Sequence, residues 1–149
     1  MNSIYLFFAT CGFIGYLPYM PGTWASIFAC FVLYFLPVRS LLAYVALILF
    51  LVCATICINM LTFEGKDPQH IVIDEFCGMF VTMAGHSTTI INLLIGFILF
   101  RFFDIVKPYP VRYVERYKRG YGIMADDIVA GVFANICTSL FVCIRYLFR

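Results

Sequence analysis

Residues 41–63 read LLAYVALILFLVCATICINMLTF, with no charged side chain anywhere in the run. A helix needs about 20 apolar residues to cross a hydrocarbon core of about 30 Å, and this run is long enough by itself. Its apolar residues do not alternate with polar ones, so a half-exposed strand is excluded. In lipid a spanning segment must satisfy its own backbone N–H and C=O groups, which a helix does internally. The stretch therefore predicts a transmembrane helix, and the fold is built around it.

Five further apolar segments flank this one. They are Ile4–Leu17, interrupted by Gly12 and Gly15; Trp24–Leu36, closed by Pro37; Ile71–Ala84; Thr89–Asp104; and Ile128–Phe148. The second, fourth and fifth segments of the chain are short for independent spans, so tilted, half-buried or re-entrant arrangements stay open. The expectation is an all-α, multihelical integral membrane protein of about four to six apolar helices, forming one domain over residues 1–149. Composition agrees: of 149 residues 64% are hydrophobic and only 12% charged. The 17 Phe and 10 Tyr suit lipid-facing and interfacial surface. A net charge of +2, without basic tracts, speaks against nucleic acid as a partner. The N-terminal stretch has neither a basic leader nor a small-residue cleavage site, so no removable signal peptide is expected.

Three polar stretches separate the segments, at residues 15–23, 64–70 and 107–126. If the segments between them cross in pairs, all three stretches meet on one face. That face carries Lys66, Arg101, Lys107, Arg112, Arg116, Lys118 and Arg119, against Arg39, Arg145 and Arg149 on the other. Positive residues favour the cytoplasmic side, so the converging face is expected there.

The acids follow the same geography. Seven of the eight carboxylates lie in three groups: Glu64, Asp67, Asp74 and Glu75; then Asp104; then Asp126 and Asp127. Placing a carboxylate in a membrane helix costs about 2.5–3.5 kcal/mol on insertion scales, so acids retained here point to a site. Asp74-Glu75 follows Ile71-Val72-Ile73 and precedes Phe76, unlike any solvated face. Such a pair either ligates a hard cation, which takes one or two carboxylates from protein, or is satisfied by Arg or Lys. Arg101, Asp104 and Lys107 recur three residues apart and share a helical face. They form either an ion-paired stripe or a cradle for phosphate and its metal. Asp126-Asp127 opens the last apolar segment, where a helix N-terminus would favour one acid but hardly requires two. In Pro21-Gly22-Thr23-Trp24-Ala25-Ser26, Gly22 allows close backbone approach, Thr23 can cap a helix, and the free amides at a helix start attract phosphate.

Other chemistries fit poorly. The seven cysteines are scattered, contain no Cys-x-x-Cys and have only His70 and His86 for company, which excludes an ordinary zinc site. Cys143 and Arg149 have the spacing of a thiol phosphatase loop, but no glycine between them to cradle phosphate. His70 reads as a polar loop residue. A transferase of CDP-activated lipids would need Asp-x-x-Asp-Gly-x-x-Ala-Arg, which is absent. A membrane ion carrier would place its acids at mid-membrane depth, not at segment ends.

Three blocks in order resemble the phosphatidylglycerophosphatase A family: Pro21–Ser26, Asp67–Met79, and the long stretch Phe100–Val132. Within the last, Phe100-Arg101-Phe102-Phe103-Asp104-Ile105-Val106-Lys107-Pro108-Tyr109-Pro110 and Met124-Ala125-Asp126-Asp127-Ile128-Val129-Ala130-Gly131 are the most specific. The chain departs from the family at Gly12-Phe13-Ile14-Gly15, where a tighter glycine pair is usual, and at Met20. The resemblance implies a Mg²⁺-dependent lipid phosphatase of the bacterial inner membrane, multi-pass, with its site facing the cytoplasm. Its substrate would be the phospholipid phosphatidylglycerophosphate, hydrolysed to phosphatidylglycerol and phosphate. On that reading Asp74, Glu75, Asp126 and Asp127 hold one or two Mg²⁺, with Asp67 and Asp104 as further ligands. Arg101, Lys107 and the Gly22–Thr23 amides would hold the phosphate. Asp127 would act as general base, and a covalent aspartyl-phosphate route is equally compatible with the residue types.

Overall fold

The computed structural model describes residues 2–36, 38–61, 70–114 and 120–148. Every regular element among them is helical: α1 (Asn2–Ala9), a short 3-10 turn (Ile14–Tyr16), α2 (Pro21–Phe35), α3 (Leu41–Met60), α4 (Ile73–Met83), α5 (Ile90–Val106), α6 (Val111–Val114) and α7 (Gly120–Leu147).

Local chemistry sets most boundaries. Pro21 starts α2, where its missing N–H costs nothing. Ser40 caps α3 by accepting a bond from the Ala43 amide at 3.1 Å, and Thr89 caps α5 through the Asn92 amide at 3.4 Å. Pro108 disfavours helix at the residue before it, so Lys107 turns out of α5 into the left-handed region at φ 44°.

Helix α4 is the centre of the bundle, packing on α2, α5 and α7 and touching α3. It divides two apolar cores. Met79 and Met83 join one with Leu33, Leu93, Phe100 and Ala134, and Ile73 and Cys77 join the other with Ile58, Leu61 and Met124. A helix buried on this many sides must let its neighbours come close, and α4 and α7 do so at paired glycines. A methyl on Gly131 would lie 2.6 Å from the Gly78 carbonyl oxygen, and one on Gly78 would lie 2.9 Å from the Asp127 carbonyl oxygen. The other end of α4 is held by Asn135 of α7, whose Nδ2 donates to the carbonyls of Val81, Thr82 and Ala84 at 3.1, 2.9 and 2.9 Å.

Several expectations change. The first apolar segment is not one helix. It breaks after Ala9 into a tight turn with Cys11, Gly12 and Phe13 at positive φ. The final helix begins at Gly120, well before Ile128, so Asp126 and Asp127 sit inside it and not at its N-terminus, where the helix dipole would favour them. With 11 residues, α4 is only about 16 Å long, half a hydrocarbon core. Among the described residues two helices are long and apolar enough to cross a membrane, Leu41–Met60 and Tyr121–Leu147. Much of α3 has no protein cover: Leu41 is 80% exposed and Ile48 60%. Apolar surface of this kind needs a lipid environment, and the protein is membrane-associated.

The α4–α7 contact is backbone against backbone, so no rotamer can relieve a larger residue there. Gly131→Val is expected to destabilise the folded protein by about 1–3 kcal/mol. Val132→Leu, on the exposed side of the same helix, should change little. Thermal unfolding of both variants in detergent checks this.

Candidate active site

Close packing at Gly78 and Gly131 brings the start of α4 beside the second turn of α7. As a result Asp74, Glu75 and Asp127 each offer a carboxylate oxygen within 4.8 Å of the other two. Asp74 and Asp127 are buried, and Glu75 is half-buried. Asp74 Oδ1 and Glu75 Oε2 are shielded from solvent and have no hydrogen-bond partner. Buried carboxylate oxygens without donors are costly, and three converging hard-oxygen donors suit a divalent cation of the Mg²⁺ type. The donor set therefore fits the group expected from the sequence. Helix α2 presses on the same point: a methyl on Gly22 would overlap the Glu75 carboxylate, so a larger residue there would push Glu75 from its place.

The neighbouring acids are differently placed. Asp126 has both oxygens engaged. Its Oδ2 takes a 2.6 Å bond from Lys107 Nζ, and its Oδ1 accepts the Asp127 amide at 3.1 Å. Asp104 Oδ2 lies 2.7 Å from Arg101 Nη1, with both side chains largely buried. Arg101 and Asp104 are both close enough to Glu75 to act on its charge, and Arg101 Nε is buried without a partner. The site is thus a core of three acids flanked by two acid–cation pairs.

Asp74, Glu75, Asp104, Asp126, Asp127, Arg101, Lys107 and Gly22 lie close to one another in the structure. Asp67 lies outside the described residues. Two details differ. Lys107 does not continue the α5 stripe; it leaves the helix and reaches α7. Thr23 does not cap α2, since the helix has already begun at Pro21. The Thr23 amide donates to the Met20 carbonyl at 2.9 Å and is not available to a ligand, whereas its hydroxyl oxygen is buried and unpartnered. Tyr19 and Met20 precede this turn at φ 59° and 55°, a strained conformation for non-glycine residues that delivers Gly22 against Glu75.

The remaining reactive groups stay out of the cluster. His70 stacks on Tyr16 with ring centroids 5.0 Å apart. The Cys11 thiol is pushed up to about 12, by burial first and by the Glu75 charge second, and so is no nucleophile. Asn135 had no sequence signal as a helix cap, because its partners are contributed by a distant segment.

The model of the family described as Phosphatidylglycerophosphatase A matches residues 7–142. The chain is 37% identical to the Haemophilus influenzae protein named Phosphatidylglycerophosphatase A, covering 91% of this chain and 86% of that one. It is 34% identical to the Escherichia coli protein of the same name, covering 79% and 72%. It is also 36% identical to a Bacteroides thetaiotaomicron protein provisionally named a phosphatidylinositol-3-phosphatase, covering 85% and 86%. No solved structure matches the chain.

The acid core makes a binding prediction that needs no turnover. Mn²⁺ titrated into the detergent-solubilised protein and followed by electron paramagnetic resonance should bind. Asp74→Asn, Glu75→Gln and Asp127→Asn should each weaken binding by at least about tenfold. Undiminished binding in all three variants would mean the acids do not hold a cation.

Proposed function

Because the chain belongs to the phosphatidylglycerophosphatase A family, and is a phosphatase, we propose that its acid core hydrolyses the terminal phosphate of phosphatidylglycerophosphate in the inner membrane. The observation that carries this reading is the meeting of Asp74, Glu75 and Asp127 within 4.8 Å, beside the two cations Arg101 and Lys107. Buried acids alone would suit a carrier, but acids with adjacent phosphate-binding cations suit phosphoryl transfer.

Asp74, Glu75 and Asp127 would hold a divalent cation, Mg²⁺ on the hardness of the donors, which supplies Lewis acidity and offsets charge on the phosphoryl oxygens. A phosphate monoester brings about −1.5 to −2 charges, which would be strongly opposed by the acids alone. Arg101, whose buried Nε lacks a partner, donates to one phosphoryl oxygen. Lys107 donates to another while its bond to Asp126 fixes its position. The Gly22 backbone lies against Glu75, and the Thr23 hydroxyl adds a donor at the same edge. Asp127 accepts the proton of the water attacking phosphorus in line with the departing glycerol oxygen. Attack by a carboxylate oxygen with an aspartyl-phosphate intermediate uses the same residues.

The site's depth follows from the helices. Helix α4 starts with its acids and is too short to span, so the cluster lies toward one end of the bundle, where a headgroup phosphate sits. We infer a multi-pass arrangement with this end toward the cytoplasm, supported by Lys107 and Arg112 on the same side.

The decisive assay is phosphate release from phosphatidylglycerophosphate by the purified protein in detergent. Release with Mg²⁺ is expected, and EDTA should abolish it. Asp127→Asn should lower kcat by about 10²–10⁴-fold while leaving the helical content intact. A variant that keeps most of the wild-type rate would remove Asp127 from the reaction. Well-folded wild type that releases no phosphate would sink the substrate assignment.

A further inference from the structure

Beside the acid core lies a pocket of about 550 Å³ lined by Lys107, Pro108, Tyr109, Arg112 and Tyr113. It shares Lys107 with the site, since Lys107 Nζ is bonded to Asp126 at 2.6 Å. Its other cation, Arg112, is exposed, and among the described residues no carboxylate pairs with it. The walls are aromatic. Tyr109 and Tyr113 are 84% and 55% exposed, with ring centroids 6.5 Å apart. Tyrosines of this kind settle at the level of lipid headgroups, apolar body inward and hydroxyl outward. The pocket thus presents an exposed guanidinium beside two interfacial rings, one step away from the acid core.

Phosphatidylglycerophosphate carries two phosphates, a terminal monoester and a diester that joins the headgroup to the lipid glycerol. The acid core and Arg101 account for one of them. We propose that Arg112, with Tyr109 and Tyr113, forms a second anion subsite that holds the phosphodiester, so that the headgroup bridges from this pocket across Lys107 to the acid core. This rests on the phosphatase reading and adds a specificity element to it. A guanidinium binds a phosphodiester through two parallel N–H donors, which an ammonium cannot reproduce. A lipid whose only phosphate is a monoester attached directly to diacylglycerol, such as phosphatidate, cannot fill both subsites. The arrangement therefore selects for a phosphomonoester set beyond a diester, and accepts any polyol that joins the two at a suitable length.

The test compares wild type, Arg112→Gln and Arg112→Lys, each as the full chain in mixed micelles. For phosphatidylglycerophosphate, Arg112→Gln is expected to raise KM by about five- to tenfold while kcat changes less than twofold. Inhibition by the product phosphatidylglycerol, which keeps only the diester, should weaken in parallel, and inhibition by inorganic phosphate should not. Arg112→Lys should restore only part of the loss. An unchanged KM overturns the subsite. So does an equal weakening of inorganic phosphate, which would mean general electrostatic attraction, or a fall confined to kcat, which would place Arg112 in the chemical step. Failure of the phosphatase reading shows separately, as no phosphate release by wild type. The subsite is then read by equilibrium binding of glycerophosphoglycerol in nuclear magnetic resonance titrations. Equal affinity of wild type and Arg112→Gln for that probe overturns it.

Discussion

Three carboxylates held within 4.8 Å of one another inside an apolar bundle are the constraint from which the rest of the structure follows. Two unit charges at that distance repel by about 3–4 kcal/mol at an effective dielectric constant of about 20, before any desolvation is counted. In an ordinary core such a group stays together only when a proton or a cation offsets its charge. The surroundings show how it is borne. Arg101 and Lys107 are brought in from α5 and its C-terminal turn, and each is anchored by an acid of its own, Asp104 and Asp126. Asp74 Oδ1 and Glu75 Oε2 are left without donors, a condition that suits a cation.

The packing of the helices serves the same constraint. The charged ends of α4 and α7 can meet only if the helices themselves meet, and Gly78 and Gly131 let the two backbones touch. Asn135 secures the far end of α4 by bonding three of its terminal carbonyls, so that a helix of 11 residues, wrapped by its neighbours, cannot slide along α7. Gly22 does the equivalent for α2, which reaches Glu75 only because no Cβ intervenes. Glycines at three helices thus converge on one group of acids. At Gly78 and Gly131 a larger residue would disturb the helix contact and the spacing of the carboxylates together.

Charge in an apolar chain is costly to place, which is why the acids were legible from the sequence: Asp74, Glu75, Asp104, Asp126 and Asp127 all proved to be neighbours, and Arg101 and Lys107 with them. The helices were legible for the same reason, as uninterrupted apolar runs. What escaped was whatever depends on a partner distant in sequence or on the backbone path. Pro108 was legible as the end of the helix carrying Arg101 and Asp104, but not that Lys107 would already have left it, at φ 44°, to reach Asp126. The position of Asp126 and Asp127 within α7 was hidden because Gly120, Tyr121 and Gly122 do not look like a helix start. Gly12 marked an interruption of the first segment, but not that the turn there would also hold Cys11 and Phe13 at positive φ. That α4 lies at the centre could not be read at all, since its composition resembles that of its neighbours and only packing distinguishes it.

The relatives separate what the acid core determines from what it leaves open. Proteins at 34–37% identity over most of this chain carry names with different headgroups, a glycerol phosphate in two cases and an inositol 3-phosphate in the third. Both headgroups place a phosphomonoester on a polyol that is itself joined to the lipid through a phosphodiester. On the proposed reading an acid core with a cation would act on the monoester alone, leaving discrimination to surfaces beside it. The proposed subsite lined by Tyr109, Arg112 and Tyr113 would serve that task, offering a guanidinium and two interfacial rings to a diester and polyol away from the acid core. Separating the two functions would let the buried acids stay fixed while selectivity varies on a surface where substitutions cost little stability.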